Sequence, residues 1–195
     1  FAQEALPRGP RWEDVQRLLR ATNTNRPDDI RDYAILLLLA VYGLRAGEVA
    51  LLKLENIDWD KDRLSIWRLK RAQPQTYPLA PTVGNALARY LKKVRPQSLY
   101  REVFLTLRRP FRPINRVPIY DMTCTRMTRL GIQSPHLGPH SLRHACATHL
   151  LAEGFSFKEI GDHLGHRSTD ATAIYAKVDL PALREVAAID CGGLL

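Results

Sequence analysis

Four side chains in the last third of the sequence could together bind and attack a phosphate group. His140 and Arg143 are three residues apart, His166 follows after 23 residues and Tyr175 after nine more. Residues at i and i+3 share one face of a helix, and the first turn of a helix favours an anion. Arginine and histidine can donate hydrogen bonds to phosphate oxygens, and a tyrosine hydroxyl can act as a nucleophile. The pattern therefore indicates chemistry on a phosphate.

The segments around His166 and Tyr175 favour the same interpretation. Leu164-Gly165 predicts the end of a helix, with Gly165 in the left-handed closing conformation and His166 in the tight turn that follows. Small residues precede Tyr175 in STDATAIYAKVD and leave room around its ring. A single arginine or histidine near a helix start is usually a solvated surface group, and a single tyrosine usually belongs to a core. The interpretation therefore depends on the four residues together.

Metal binding is an alternative use of the histidines. By spacing, the candidate ligands are His140, His144 and His149, or His163 and His166. In the helical zinc-protease pattern a glutamate directly follows the first histidine, whereas Ser141 occupies that place here. We therefore predict no metal site and no cofactor. His144 and His149 are expected to be packing or polar-face residues.

Four motifs spread along the chain resemble the tyrosine recombinases, the family of phage integrases and Xer-like site-specific recombinases. The motifs are Gly43-Leu44-Arg45-x-x-Glu48, His140-x-x-Arg143-His144, Leu164-Gly165-His166 and Tyr175. Because they are so widely spaced, the resemblance covers nearly the whole chain. It implies the catalytic-domain fold of that family, which is mostly α with a small antiparallel β-sheet (α+β).

The resemblance also implies roles for individual residues. The implied catalytic set is Arg45, Lys70, His140, Arg143, His166 and Tyr175, with Tyr175 as the nucleophile. Two guanidiniums and a donor from His166 would stabilise the charge that builds on the phosphate, without a divalent metal. The product would be a 3′-phosphotyrosine, from which a second DNA strand displaces the tyrosine without ATP. Two alternatives are strand relaxation, as in type IB topoisomerases, and a non-catalytic DNA-binding module.

A buried helix is expected to position Arg45. Residues 28–43 predict a helix whose centre, AILLLLAVY, is apolar on every face, so it belongs in the middle of a bundle. A shorter amphipathic helix over residues 11–21 precedes it. Arg45 follows at the junction with the next helix, where rigid backbone on both sides suits a bidentate phosphate contact. Glu48 either supports Arg45 through an ion pair or is only a favourable first-turn acid.

Lys70 lies in a basic loop between two predicted strands. The sequences around RLSIW and QTYPLAP predict a hairpin of a small sheet. In the resembled family a lysine on this hairpin protonates the leaving 5′ oxygen, and lysine suits that role because its pKa moves readily. Arg68 and Arg71 flank Lys70 and are expected to bind the DNA backbone. Arginine is a poor proton donor, which favours Lys70 as the acid.

A basic, proline-broken loop is predicted farther along. Helices are expected over residues 81–94 and 119–130, with a short strand over residues 103–107 between them. After this strand, four arginines are expected to face phosphates or solvent: Arg108, Arg109, Arg112 and Arg116. The segment LPALREVAAID, after Tyr175, predicts a last helix. The resemblance implies that this helix joins protomers of a homotetramer on DNA, and packing within the chain is the alternative.

Composition indicates a single basic domain. The chain has 195 residues, of which 45% are hydrophobic, enough for a core. A formal charge of +9 and a pI near 9.8 predict a polyanionic partner, and the phosphate-binding pattern favours double-stranded DNA. Three widely spaced cysteines without a CxxC motif disfavour a disulfide framework and a zinc ribbon. No apolar run reaches the length of a membrane span, so we expect a cytoplasmic protein without a membrane partner.

The domain organisation is predicted from local composition. Residues 1–10 contain two prolines and no periodicity, which indicates a linker or domain edge, and residues 11–195 are expected to form the catalytic domain. The resemblance implies a further helical domain that clamps the other side of the DNA. We expect this core-binding domain to be absent from the chain.

Overall fold

The computed structural model describes residues 9–68 and 72–165. In these ranges the helices are α1 (Trp12–Thr22), α2 (Pro27–Val41), α3 (Ala46–Ala50), α4 (Pro81–Lys93), α5 (Arg116–Arg129), α6 (Pro139–Ala152) and α7 (Phe157–His163). A 3₁₀ turn at Leu54–Asn56 precedes an antiparallel sheet. Its strands are β1 (Ile57–Asp58), β2 (Arg63–Arg68) and β3 (Gln73–Pro78), in the order β1-β2-β3. The predicted class, mostly helical with a small antiparallel sheet, is confirmed.

The second helix, α2, lies at the centre of the helical core. Pro27 at its first position and Asp28 and Asp29 in its first turn favour a helix start. From Tyr33 to Val41 every residue is buried, and α2 packs against α1, α4 and α6. The predicted position in the middle of a bundle is therefore confirmed. Across the described residues, no helix is both long and apolar enough to cross a membrane.

Strands β2 and β3 form the predicted hairpin. Leu64 pairs with Tyr77, and Ile66 pairs with Gln75. Because side chains alternate across a strand, Leu64, Ile66 and Arg68 share the buried face of β2. The apolar members of this face belong to the same hydrophobic core as α2. The register of β2 therefore places Arg68 in the interior.

Two elements differ from their predicted form. Residues 103–107 are not a strand, and their one ladder contact is an isolated bridge at Leu105. Separate contacts hold this segment instead: the Val103 N–H donates to the Leu52 carbonyl at 2.8 Å, the Thr106 N–H donates to the Arg112 carbonyl at 2.9 Å, and the Arg95 guanidinium donates to the Val103 carbonyl at 3.0 Å. α5 begins at Arg116, earlier than predicted, because the Asn115 side chain caps it by accepting from a first-turn backbone N–H at 2.8 Å.

Candidate active site

Three of the predicted catalytic residues line one open pocket of about 350 Å³. Arg45 lies directly before α3, whereas His140 and Arg143 lie near the beginning of α6. These parts of the sequence meet because α6 packs against α2, whose far end leads into the Arg45 turn. The remaining lining residues are Leu44, Ala46, Gly47, Arg116, Tyr120 and Pro139.

Glu48 supports Arg45 from the interior. Its Oε1 accepts from Arg45 Nη1 at 3.0 Å, and its Oε2 accepts from the Arg45 backbone N–H at 2.8 Å. The Glu48 side chain is fully buried, whereas 26% of the Arg45 side chain is exposed. The predicted ion pair is therefore present, and it orients a guanidinium that still reaches the pocket.

Gly43 fixes the turn that carries Arg45. Its φ of +57° lies in the left-handed region, which favours glycine. A Cβ atom here would overlap the Leu164 side chain and would lie 3.5 Å from Arg143 Cγ. Backbone conformation and space therefore both require glycine. The Arg45 turn packs directly against α6 and against the residue that follows α7.

Arg143 joins the turn before Arg45 to the residue that follows α7. Only 4% of its surface is exposed. Its Nη1 donates to the Gly43 carbonyl, and its Nη2 donates to the Leu164 carbonyl at 2.7 Å. Burial, followed by the nearby Arg45 and Arg68 guanidiniums, lowers the pKa of Arg143 to about 10, so this side chain stays charged at neutral pH. It therefore adds a positive charge with a fixed position.

The imidazole of His140 belongs to the pocket lining, with His144 beside it. His140 is exposed near the beginning of α6, and its ring meets the His144 ring edge-on at 4.4 Å. Partial burial, followed by His140 and Arg143, lowers the pKa of His144 and favours its neutral form. His144 is half-buried and contacts the His140 ring, which is compatible with the predicted packing or polar-face role.

Two further histidines of the metal hypothesis, His149 and His163, have structural partners. His149 stacks on Trp12 with ring centroids 4.2 Å apart. His163 is buried, and its Nε2 donates to the Val41 carbonyl at 3.1 Å. Burial lowers the pKa of His163 to about 4, so the ring is neutral at pH 7. Within residues 9–68 and 72–165, no group of three or more His, Cys, Asp or Glu side chains could hold a metal ion.

Arg68 lies in the interior, so the prediction that it binds the DNA backbone is wrong. Its exposed fraction is 1%. Its Nη1 donates to Glu48 Oε2 at 2.7 Å, its Nε donates to Gln75 Oε1 at 2.8 Å, and its Nη2 donates to the His163 carbonyl at 3.1 Å. The alternation of β2 places this side chain on the inner face, where Glu48 compensates its charge.

The remaining site residues stay predictions. Arg108, Arg109 and Arg112 are exposed in the loop before α5, a position compatible with contacts to phosphates. The other predicted site residues, Lys70, Arg71, His166 and Tyr175, lie outside the described residues, as does the predicted last helix.

Tyr120 lines the pocket from α5, although the sequence patterns did not indicate it. Arg116 and Tyr120 are four residues apart and therefore share a helix face. A Cβ atom at Gly138, directly before α6, would lie 2.8 Å from Tyr120 Cε2, so the two helices meet closely here. Hydrogen bonding with Cys124 raises the pKa of Tyr120, so its hydroxyl is protonated at neutral pH. The helical spacing was the available signal, but only the packing of α5 on α6 brings this face to the pocket.

Sequence comparisons match most of the chain. A sequence model described as the Phage integrase family matches residues 11–180. The putative integrase/recombinase y4rA of Sinorhizobium fredii (strain NBRC 101917 / NGR234) is 42% identical over 188 residues, 96% of this chain and 46% of that protein. The putative integrase/recombinase y4gC of the same strain is 39% identical over 174 residues, 87% of this chain and 88% of that protein. The chain thus spans less than half of y4rA but most of y4gC.

Solved structures share the architecture. The crystal structure of XerA recombinase superimposes with a TM-score of 0.72 at 28% identity, covering 97% of this chain and 67% of that chain. The catalytic core of lambda integrase has a TM-score of 0.62 at 17% identity, covering 82% of this chain and 96% of that chain. At 17% identity, the similarity to the lambda integrase catalytic core concerns the fold alone.

Proposed function

Because this chain belongs to the phage integrase family, we propose that it cuts and rejoins DNA strands as a site-specific recombinase. The observation that carries the proposal is the convergence of Arg45, His140 and Arg143 on one open pocket. These residues come from two distant parts of the sequence, and each can donate hydrogen bonds to a phosphate. The proposed substrate is double-stranded DNA.

The charge of the pocket suits a phosphodiester in its transition state. Attack on phosphorus builds negative charge on the non-bridging oxygens, and donors that are held in place beforehand stabilise this charge most effectively. Arg45 and Arg143 supply two such guanidiniums, and the exposed Arg116 adds another cation to the lining. Arg143 is fixed by two backbone carbonyls and Arg45 by Glu48. The pocket therefore holds its positive charge in a preorganised form.

In the proposed reaction, the Tyr175 hydroxyl oxygen attacks the scissile phosphorus while the bond to the 5′ oxygen breaks. The tyrosine proton passes to a base, for which His140 is our candidate, and Lys70 gives a proton to the leaving oxygen. His166 donates to a non-bridging oxygen. The products are a 3′-phosphotyrosine and a free 5′ hydroxyl.

Rejoining reverses these steps with a different DNA strand. The 5′ hydroxyl of the second strand attacks the phosphotyrosine, and the tyrosine oxygen leaves and takes up a proton. The covalent intermediate keeps the energy of the phosphodiester bond, so the proposal includes no ATP. Side chains supply the cations that stabilise the phosphate, so it includes no metal ion.

DNA binding is proposed from the charge of this chain and from relatives of the same fold. The chain has a formal charge of +9, and Arg108, Arg109 and Arg112 are exposed. Solved structures include XerH bound to difH substrate, at 18% identity, and Tn1549 transposon integrase in complex with transposon right end DNA, at 17% identity. We further propose that Arg71 contacts the DNA backbone. The segment after Tyr175 would join protomers in a tetramer on DNA.

A suicide substrate tests the covalent step. In a duplex nicked beside the cleavage position, the short 5′-hydroxyl fragment diffuses away and the protein–DNA adduct accumulates; the duplexes would be drawn from the DNA that flanks the gene. We expect the unmodified chain to form the adduct in EDTA without ATP, and Tyr175→Phe to form none. Tyr120→Phe is the matched control because Tyr120 lines the pocket, and it should still form the adduct. An adduct that survives Tyr175→Phe but disappears in Tyr120→Phe would reverse the assignment.

Two further assays separate the alternative functions. Recombination between two target sites on one plasmid supports the recombinase, whereas relaxation of a supercoiled plasmid without recombination supports topoisomerase-like activity. DNA binding without any adduct would indicate a non-catalytic module.

The identity of the general acid has its own test. We expect Lys70→Ala to slow cleavage by roughly 100-fold or more. A substrate with sulfur at the leaving 5′ position should restore the rate, because a thiolate leaves without a proton. If the sulfur substrate restores the cleavage rate of Arg71→Ala but not that of Lys70→Ala, the general acid is Arg71.

A further inference from the structure

The last carbonyls of α7 are held by side chains from other elements. Gln75 Nε2 donates to the Asp162 carbonyl at 2.8 Å. The His163 carbonyl accepts from Tyr77 Oη at 2.6 Å and from Arg68 Nη2 at 3.1 Å. The final carbonyls of a helix lack partners within the helix, so such contacts determine where its end lies. The end of α7 is therefore fixed mainly by the β2–β3 hairpin.

The following turn is packed onto the same side chains. Gly165 has a φ of +73°, and a Cβ atom there would lie 2.7 Å from Arg68 Nε and 2.9 Å from Gln75 Oε1. The backbone thus approaches the Arg68 guanidinium as closely as a glycine allows. In the sequence, His166 comes next.

The Arg68 guanidinium connects this turn to the acid that supports Arg45. Through Nη1 it binds Glu48 Oε2, while Glu48 Oε1 binds Arg45. A planar guanidinium presents donors in several fixed directions, which a lysine ammonium on its flexible stem does not reproduce. Arg68 therefore links the acid behind the Arg45 turn to the end of α7, in addition to Arg143, which donates to the Gly43 and Leu164 carbonyls.

Charge gives Arg68 a second effect on Arg45. Glu48 is a single carboxylate between two guanidiniums, and the Glu48 and Arg68 side chains are 0% and 1% exposed. Arg68 compensates the buried carboxylate, so the positive charge of Arg45 remains available to a phosphate. Without Arg68, Glu48 and Arg45 would form a neutral pair beside the pocket.

We propose that Arg68 is a positioning residue for DNA cleavage, which holds the turn before His166 and the Glu48–Arg45 pair in one fixed arrangement. The inference rests on the proposed recombinase function. Arg68 does not reach the DNA and takes no part in proton transfer. It acts through Glu48 and through the carbonyl of His163.

A purely stabilising role makes a different prediction. If Arg68 only stabilised the fold, its replacement would lower the folded fraction and leave the cleavage rate of each folded molecule unchanged. A positioning role predicts slow cleavage in molecules that are folded and bound to DNA, because a misplacement of about 1 Å can lower a rate by about 100-fold.

The experiment compares four variants of the full chain, the fourth being Arg68→Lys, by thermal unfolding, DNA affinity and single-turnover cleavage of the suicide substrate. Arg68→Met removes the guanidinium, and the double variant Glu48→Gln/Arg68→Met also removes the carboxylate that would otherwise be buried without Arg68. Arg126→Met is the matched control, because Arg126 joins Asp29 and Asp32 away from the pocket lining. All rates are measured at saturating protein, well below each unfolding midpoint.

We expect the double variant to recover thermal stability relative to Arg68→Met. Folded Arg68→Met should bind DNA within about threefold of the unmodified chain and cleave about 100-fold more slowly, and the double variant should cleave no faster than Arg68→Met. Arg68→Lys, which keeps the charge but not the fork of donors, should cleave at an intermediate rate. Arg126→Met should lose stability and keep its cleavage rate.

Two outcomes overturn different claims. If the folded double variant cleaves as fast as the unmodified chain, the positioning role of Arg68 is wrong and the proposed function stands. If the unmodified chain forms no adduct on any flanking duplex, the proposed function itself fails, and the inference about Arg68 fails with it.

Discussion

Two buried or partly buried ion networks, one behind the pocket and one between α2 and α5, use arginine in different ways. Arg126 of α5 binds Asp29 and Asp32 of α2 at 2.6 Å each, and 18% of its side chain is exposed. Arg68 of β2 binds Glu48 at 2.7 Å, and both side chains are buried. Both networks join segments that are distant in the sequence, but they differ in their charge balance.

The two networks differ in the ratio of acids to bases. The α2–α5 network stabilises the fold, whereas the network behind the pocket also orients an arginine of the pocket lining. Between α2 and α5, Arg31 pairs with Asp32 and with Asp28, so Arg31 and Arg126 face three acids and no positive charge is in excess. Behind the pocket, the ion pairs of the described residues set one carboxylate, Glu48, against two guanidiniums, those of Arg45 and Arg68. Arg143 lies close enough that both guanidiniums lower its pKa. Arg45 and Arg143 both line the pocket in which we propose that a phosphate binds.

The largest effect is expected when one arginine is replaced at the pocket and another in the α2–α5 network. Arg143→Lys cannot donate to two carbonyls and also keep a planar fork for a phosphate, so we expect cleavage to fall by about 1000-fold. Arg126→Lys should leave the cleavage rate of the folded protein within about twofold, since a change away from the site acts on stability. Single-turnover rates on the suicide substrate measure both. Equal losses in the two variants would show that charge balance does not distinguish the networks.

A second test compares two glycines with similar backbone conformations. Gly43 and Gly131 have φ values of +57° and +63°, but only Gly43 has neighbours where a Cβ atom would be, since Gly131 has none within 4 Å. Gly131→Ala should cost about 1 kcal/mol through backbone strain alone. Gly43→Ala should cost about 2 kcal/mol more, because Leu164 must move as well. Urea unfolding measures both, and equal costs would mean that the Arg45 turn is not tightly packed.

A third and smaller effect is the pH dependence of the free energy of unfolding. It should differ between the region behind the pocket, where the His163 carbonyl binds Arg68, and the α2–α5 network. His163 has a pKa lowered to about 4 by burial, against 6.5 in the unfolded chain, so the unfolded state takes up a proton first as the pH falls. Stability should therefore drop between pH 6.5 and 4, by about 2 kcal/mol from pH 7 to pH 5. Urea unfolding as a function of pH measures this loss, and His163→Gln should remove it.

The α2–α5 network should respond at lower pH. Burial acts to raise the pKa of Asp29, but hydrogen bonds from Thr24 and Arg126 lower it below 3.8 overall. Its contribution is present above pH 3.8 and is lost as the pH falls through the folded-state pKa. Asp29→Asn is the control, since it should leave the loss between pH 6.5 and 4 unchanged. A loss in that range that persists in His163→Gln would contradict the assignment to His163.

The sequence predicted the parts of the site that depend on local pattern. The apolar run of α2 required a central helix, and Gly43 and Gly165 marked the turns at which two helices end. Arg45 and Glu48 are three residues apart, so their ion pair could be predicted from helical spacing.

Packing between elements that are distant in the sequence determines the positions of Arg68 and Tyr120, which local sequence patterns could not predict. Arg68 directly precedes the basic loop that contains Lys70 and Arg71, but Leu64-x-Ile66-x-Arg68 has the period of a strand face, which indicates that Arg68 lies on the same side of the strand as the two apolar residues. Its burial was tolerable only because Glu48, 20 residues earlier, supplies a carboxylate there. Tyr120 reaches the pocket through the packing of α5 on α6, which no spacing within α5 reveals.

The hydrogen bonds that hold the end of α7 also limit how far the hairpin can move. Lengths that support such bonds span only about 0.5 Å, whereas apolar side chains can slide past one another over larger distances. A duplex that pulls on the β2–β3 hairpin must therefore carry the end of α7 with it or break the contacts of Arg68, Gln75 and Tyr77 together. The β2–β3 hairpin and the turn before His166 are thus expected to move together as a rigid body.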